Sequence, residues 1–176
     1  METTGVVRRI DELGRIVIPK EIRRSLRIKE GDSLEICVER DMVALKKHSS
    51  LNNLEDFAEI YADSVNQALD SVVVITDNDS VIACAGLSKK EYIKSHISEF
   101  LEQTILERKR VLVKEKQELS IIEHKKLRAS FTIHPIVSNG EVVGLVIILA
   151  QKRIISDLED KTALVASQFL GKHVEQ

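Results

Sequence analysis

GRIVIPKEIRRSLRI, Gly14 to Ile28, is the stretch on which the reading of the whole chain turns. A short apolar run, Ile16-Val17-Ile18, reads as a strand that passes through Pro19 into a segment dense in arginine. Proline fixes φ near the helical value and lacks an N–H that the first helical turn does not need, so the pattern predicts a helix from about Pro19. At about 100° per residue, Lys20, Arg23, Arg24 and Arg27 fall on one face, with Ile22 and Leu26 opposite. One face suits a core and the other an anion. Arg8, Arg9 and Arg15 flank the same unit, and from Gly5 to Lys29 eight Lys or Arg stand against three acids, a net +5. Arginine predominates over lysine, which favours bidentate contacts to phosphates or guanine edges over simple charge solvation.

Working outward, Gly5 to Ile10 reads as a first strand, Asp11-Glu12-Leu13-Gly14 as a turn, and Arg15 as the start of the second strand. Glu30-Gly31-Asp32 reads as a stop and turn. Ser33 to Glu39 then alternates, with Leu34, Ile36 and Val38 on one face, and Val43 to Lys47 completes a hairpin. A unit of about 50 residues with so few large apolar side chains is not expected to be stable as a monomer.

The run GVVRRIDELGRIVIPKEIRRSLRIKEGDSLEI resembles the DNA-binding domain of the AbrB-type transition-state regulators, the swapped-hairpin β-barrel family that includes MazE-like antitoxins. The resemblance covers about residues 3–48, and its Gly-Arg-x-x-x-Pro-Lys-Glu-Ile-Arg core is specific. It implies an intertwined homodimer in which each chain lends strands to one small barrel and paired basic loops and helices dock on double-stranded DNA. By position, the family's DNA-contacting arginines correspond to Arg8, Arg9, Arg15, Arg23 and Arg24, and Lys20 joins them on the helix face. One departure is local: members often close the last hairpin with glycine, whereas here the turn is Arg40-Asp41-Met42.

The remainder reads as a separate module. The 176 residues, 43% hydrophobic, suffice for one ordinary domain or two small ones, here 1–50 and 51–176. The net charge of −2 is unevenly divided, +2 over residues 1–50 and −4 over 51–176, so a basic patch sits on an otherwise acidic protein. No run approaches a membrane span and the N-terminus carries charge in place of a signal-peptide core, so a soluble cytoplasmic protein, nucleoid-associated if it binds DNA, is expected. Cys37 and Cys84 read as thiols in strands, a redox switch being the lesser reading, and the five histidines lack metal-ligand spacing, so no metal site is assigned.

His48 to Asn53 reads as a hinge. Leu51, Leu54, Ala58, Tyr61, Val65 and Ala68 then form a three-four stripe, with Phe57 and Leu69 beside it, on a helix packed in its own domain or shared across a subunit interface. The last helix has a capping box, Ser156 and Glu159, and a stripe of Leu158, Thr162, Val165 and Phe169 widened by Leu170 and Val174. Two such helices per chain, paired with a neighbour's two, make a four-helix bundle and an expected homotetramer. Between them lie strands at Val72–Thr76 and Val81–Ala85, a helical stretch at about 88–109, and strands at about 119–123, 128–137 and 142–150, the last two joined by Asn139-Gly140. This element order resembles a GAF domain, the small-molecule sensor fold, so the fold class expected is an AbrB-like dimeric β-barrel followed by an α+β GAF-like domain with flanking helices.

No nucleophile elbow, phosphate loop or dinucleotide fingerprint occurs, Ser88 before Lys89 and Lys90 reads as a helix cap, and Glu123, His124 and His134 give no cavity-directed cluster. No catalytic residue or cofactor is assigned, and the chain is not expected to be an enzyme. A ligand, if bound, is unidentified and is expected between the sheet and the helices at 88–109. A transcriptional regulator, activator or repressor, that reads DNA with tolerant base specificity is the function expected, and AbrB-type and GAF-type parts together resemble regulators of sporulation. The alternative is a MazE-like antitoxin that represses its own operon, whose second half would be a disordered toxin-wrapping tail.

Overall fold

A computed structural model describes residues 5–48, 51 and 54–175. They form two compact units, Met1–His48 and Ser49–Gln176. Most of the expected hinge, His48 to Asn53, lies outside the described residues.

The first unit, the head, contains helix α1 (Lys20–Ser25) and a ribbon of β1 (Leu34–Glu39) and β2 (Met42–Lys47). The ribbon is antiparallel with Ile36 opposite Leu45 and Val38 opposite Val43, so the alternating apolar residues share one face. Glu39 pairs with Met42, making the turn two residues long, and Arg40 takes the positive φ of 52° often given to glycine there. Among the described residues, 5–18 contain no regular strand, so the strands expected at Gly5–Ile10 and from Arg15 are not formed within the unit; the two segments are joined around the turn, where Asp11 N–H donates to the Arg15 carbonyl. The apolar side chains of this unit are correspondingly uncovered, with Val7 93%, Val17 74% and Val38 72% exposed.

In the second unit a five-stranded antiparallel sheet runs in the order β4 (Val81–Ala85), β3 (Val72–Thr76), β7 (Glu141–Ala150), β6 (Lys126–Ser138), β5 (Val111–Ser120). Helices α2 (Glu55–Leu69) and α5 (Asp157–Val174) cover one face, on Val73, Ile75, Ala83, Val146 and Ile148. The other face, with Val74, Cys84, Leu145 and Ile147, is closed by Tyr92 of α3 (Lys89–Tyr92), Ile97 and Leu101 of α4 (Glu99–Glu107). Covering on both sides explains why β3, β4 and β7 are continuous apolar runs instead of alternating ones. Asn139 and Gly140, φ 49° and 80°, make the expected two-residue hairpin between Ser138 and Glu141.

In the second unit one expected strand is displaced, and two other expectations gain detail. The helical stretch expected at about 88–109 is two helices, because Ile93 is extended, Lys94 has φ 64°, and bridges Ser80–His96 and Ile97–Ile122 hold the segment flat until Ser98 caps a new helix. The strand expected at 119–123 instead occupies Val111–Ser120, its alternation hidden by a bulge between Val113 and Gln117 and by the charges of a sheet edge. The stripe expected on α2 is largely on the core side, with Leu51, Leu54, Ala58 and Val65 buried and Tyr61 and Leu69 packed against them, whereas most of that expected on α5 lies away from its core. The core side of α5 carries Glu159, Ala163, Ala166 and Leu170, while Leu158, Val165 and Phe169 point to solvent. On α2, Ala58, Ala62 and Val65 are inward, with Ala68 and Phe57 exposed. Small residues are inward because the backbones come close: a Cβ on Gly171 would stand 2.1 Å from the Val137 carbonyl oxygen.

Candidate nucleic-acid interface

The basic helix is short and locally well closed. Pro19 is buried at its N-cap, and no helix residue is buried within the chain. At the other end, Ile28 N–H donates to the Arg23 carbonyl (2.7 Å) and Arg27 N–H to that of Arg24 (3.2 Å), a Schellman turn. Arg27 occupies the left-handed position of that turn, φ 50°, so it has left the helix and does not share the face of Lys20, Arg23 and Arg24. The turn is tied to the ribbon: Lys47 Nζ donates to the Arg27 carbonyl (3.3 Å), and Asp32 accepts from the Lys29 N–H (2.7 Å) while meeting Lys47 Nζ at 3.1 Å.

Ahead of the helix, Asp11 organises the turn. Its Oδ1 accepts the N–H groups of Leu13 (3.0 Å) and Arg15 (2.8 Å), and its Oδ2 accepts Arg15 Nε (2.7 Å). The backbone N–H of Arg15 and then its guanidinium hold the Asp11 carboxyl below the usual carboxylate range, so it is charged at neutral pH. Asp11 was not among the residues expected from sequence to serve the site. The signal for it was an aspartate opening a turn two residues before an N–H it can bond.

Arg8, Arg9, Arg15, Lys20, Arg23 and Arg24 are all exposed. The structure puts Lys20, Arg23 and Arg24 on one six-residue helix and Arg15 at the closing end of the Asp11 turn, with Arg8 and Arg9 in the extended segment before it. Apart from Arg15, none of the six is committed to an ion pair among the described residues. Their charges are therefore available to an external anion.

The second unit offers different chemistry. His134, buried on β6, bonds Asp160 of α5 (3.0 Å) and lies apart from Glu123 and His124; Thr132 (2.7 Å) and Arg110 complete the Asp160 shell. Burial raises the Asp160 carboxyl, but these donors outweigh it and leave it lowered. Glu159, likewise, is raised by burial yet held at about 2 by Ser156, Arg153 and Ser71, so the expected capping box also ties α5 to the α2–β3 loop. Burial pushes the Cys84 thiol up to about 11, which makes it inert as a nucleophile. The space between the sheet and residues 88–109 is packed with Tyr92, Ile97, Leu101 and Phe131. Elsewhere, the described residues line a cavity of about 320 Å³ at the strand ends beside Asn66, Gly86 and Lys152, and an apolar groove of about 400 Å³ along Phe57, Ile60, Tyr61 and Thr162. Among the described residues there is no cluster of metal-ligating side chains, and no helix is long and apolar enough to cross a membrane.

Comparison with known proteins accords with this division. The sequence model for the family described as Antidote-toxin recognition MazE, bacterial antitoxin, matches residues 7–52. That for Stage V sporulation protein T C-terminal, transcription factor, matches residues 53–175. The transition state regulatory protein AbrB of Bacillus subtilis is 44% identical over 39% of this chain and 71% of its own length. Among solved structures, the GAF domain of an Acinetobacter phosphoenolpyruvate-protein phosphotransferase superposes with a TM-score of 0.57 at 15% identity, covering 69% of this chain and 81% of that one, which shows the GAF fold. Stage V sporulation protein T of Bacillus subtilis is 46% identical over the full length of both chains. With an AbrB-like head and a GAF-fold second unit in that order, the chain belongs to the stage V sporulation protein T family of transcription factors.

Proposed function

We propose that this transcription factor binds double-stranded DNA as a homodimer of its first 50 residues, using Arg8, Arg9, Arg15, Lys20, Arg23 and Arg24 from each chain, and so regulates sporulation genes. The observation that carries the reading is the coincidence, in one unit, of exposed cations and a ribbon whose apolar face is left uncovered by the described residues of that unit. A second copy supplies that cover and doubles the charge set. With about four phosphate contacts per chain, the log–log salt dependence of binding has a slope on the order of −7. Such a head relies on backbone charge and groove shape, and reads bases tolerantly.

The second unit extends the assembly. Phe57 and Phe169 stack at 5.2 Å on the outer side of α2 and α5, among exposed Ile60, Leu158 and Val165. This apolar face supports pairing with the same helices of another chain in a four-helix bundle, giving a homotetramer that raises the effective concentration of heads along DNA. The GAF fold supports a sensor role for a small molecule of unidentified chemistry. The protein then works in the cytoplasm, at the nucleoid. The folded second unit removes the disordered tail on which the antitoxin alternative rested.

The test is binding of the intact protein and its Arg15→Ala and Arg23→Ala variants to promoter fragments across a salt series, with circular dichroism as the folding control. Folded variants that lose affinity and show a shallower salt slope support the reading. Unchanged binding overturns it.

A further inference from the structure

We propose that Asp11 is a positioning residue for DNA binding, holding Arg15 ready to meet a phosphate. This rests on the DNA-binding reading above. One carboxylate makes three bonds within a five-residue turn: Oδ1 to the Leu13 and Arg15 N–H groups, and Oδ2 to Arg15 Nε. The backbone closes the same turn, Asp11 N–H to the Arg15 carbonyl (3.1 Å) and Gly14 N–H to that of Asp11 (3.0 Å). The carboxylate grips the guanidinium by its Nε edge. Among the described residues its two terminal nitrogens have no partner, which leaves their donors for an anion.

Stability does not account for this arrangement. The side chains of Arg15 and Asp11 are 72% and 43% exposed, and exposed ion pairs contribute little to folding. Simple electrostatics also disfavours an acid here, since a carboxylate among arginines repels the phosphates they attract. What the carboxylate does provide is order. A free arginine samples many rotamers and loses that freedom on binding, whereas one already held loses less.

Two effects of removing the charge thus have opposite signs. Loss of repulsion strengthens DNA binding; loss of positioning weakens it. Asp11→Asn separates positioning from turn closure, because the amide oxygen still accepts the Leu13 and Arg15 N–H bonds while the charge that grips Nε is gone. The experiment measures binding of full-length protein to one fixed promoter duplex for Asp11→Asn, Arg15→Ala and the double variant, with circular dichroism and sedimentation to verify fold and assembly. The expected result is a loss of about two- to tenfold for Asp11→Asn and no further loss when it is added to Arg15→Ala. Equal or tighter binding by Asp11→Asn, with Arg15→Ala still impaired, overturns the positioning role and leaves the DNA face intact. A loss of the same size in the Arg15→Ala background also overturns it, since Asp11 would then act through the turn. No effect of Arg15→Ala overturns the positioning role and the place of Arg15 in the DNA face together.

Discussion

From Gly144 to Ala150 every residue of β7 is buried within its own chain, whereas Ile36, Val38 and Val43 of the head ribbon are 65–72% exposed. Both are apolar strands of antiparallel sheets. The difference is what covers them: β7 lies between two helical layers of its own unit, and among the described residues of the head the ribbon is accompanied by one short helix, none of whose residues is buried. A small unit encloses little apolar surface to offset its chain entropy, which is why a second copy is the cover proposed above for this face. The second unit encloses its own core; of its exposed large apolar residues, Phe57, Ile60, Leu158, Leu164, Val165 and Phe169 lie on α2 and α5, and Phe100, Leu106, Val137 and Ile154 lie elsewhere.

Mutations confined to one unit test this contrast. The largest effect is expected from Val38→Asp, which puts a charge on the uncovered ribbon face. It should abolish the head's unfolding transition and DNA binding, while calorimetry shows the second unit melting as before. Should the head melt unchanged at every protein concentration, the dimer reading fails. Ile147→Ala, in the fully buried strand, should destabilise only the second unit, by about 2–5 kcal/mol in denaturant unfolding. Gly171→Ala should cost about 1–3 kcal/mol in the same transition, because its Cβ meets backbone and not a movable side chain.

An effect of similar size is expected from acid. The Glu159 carboxyl is depressed from 4.5 to about 2 in the folded unit, so its stabilisation is complete above pH 4.5 and is lost as the pH falls toward 2. Glu159→Gln should remove about 1–3 kcal/mol at neutral pH and flatten that acid limb, a change readable from Tm against pH. The smallest is a gain. Arg27→Gly relieves a left-handed residue at the helix C-cap and should raise head stability by roughly 0.5–1 kcal/mol. A loss instead would show that Arg27 makes a contact worth more than its backbone strain.

Several elements were legible without coordinates: the start of α1 at Pro19, the ribbon, the Asn139-Gly140 hairpin, the Ser156–Glu159 capping box and the strands at 72–76 and 81–85. Each is a local signal in which backbone restriction or side-chain capping decides within a few residues. The basic character of the head was equally legible, since charge is a property of composition.

What tertiary structure alone decided is which way the helices face and which distant groups meet. Both sides of α5 carry apolar residues, so periodicity finds two stripes without ranking them; the close approach of its backbone to β6 selects Ala163, Ala166 and Gly171 for the inside and leaves Leu158, Val165 and Phe169 outside. The charged bulge of β5 hid a strand whose existence depends on β6 beside it. His134 found Asp160, and Arg27 left the helix face, for the same kind of reason: the chain's sequence states which groups exist, but only closure of the backbone around a packed core fixes the distances between them.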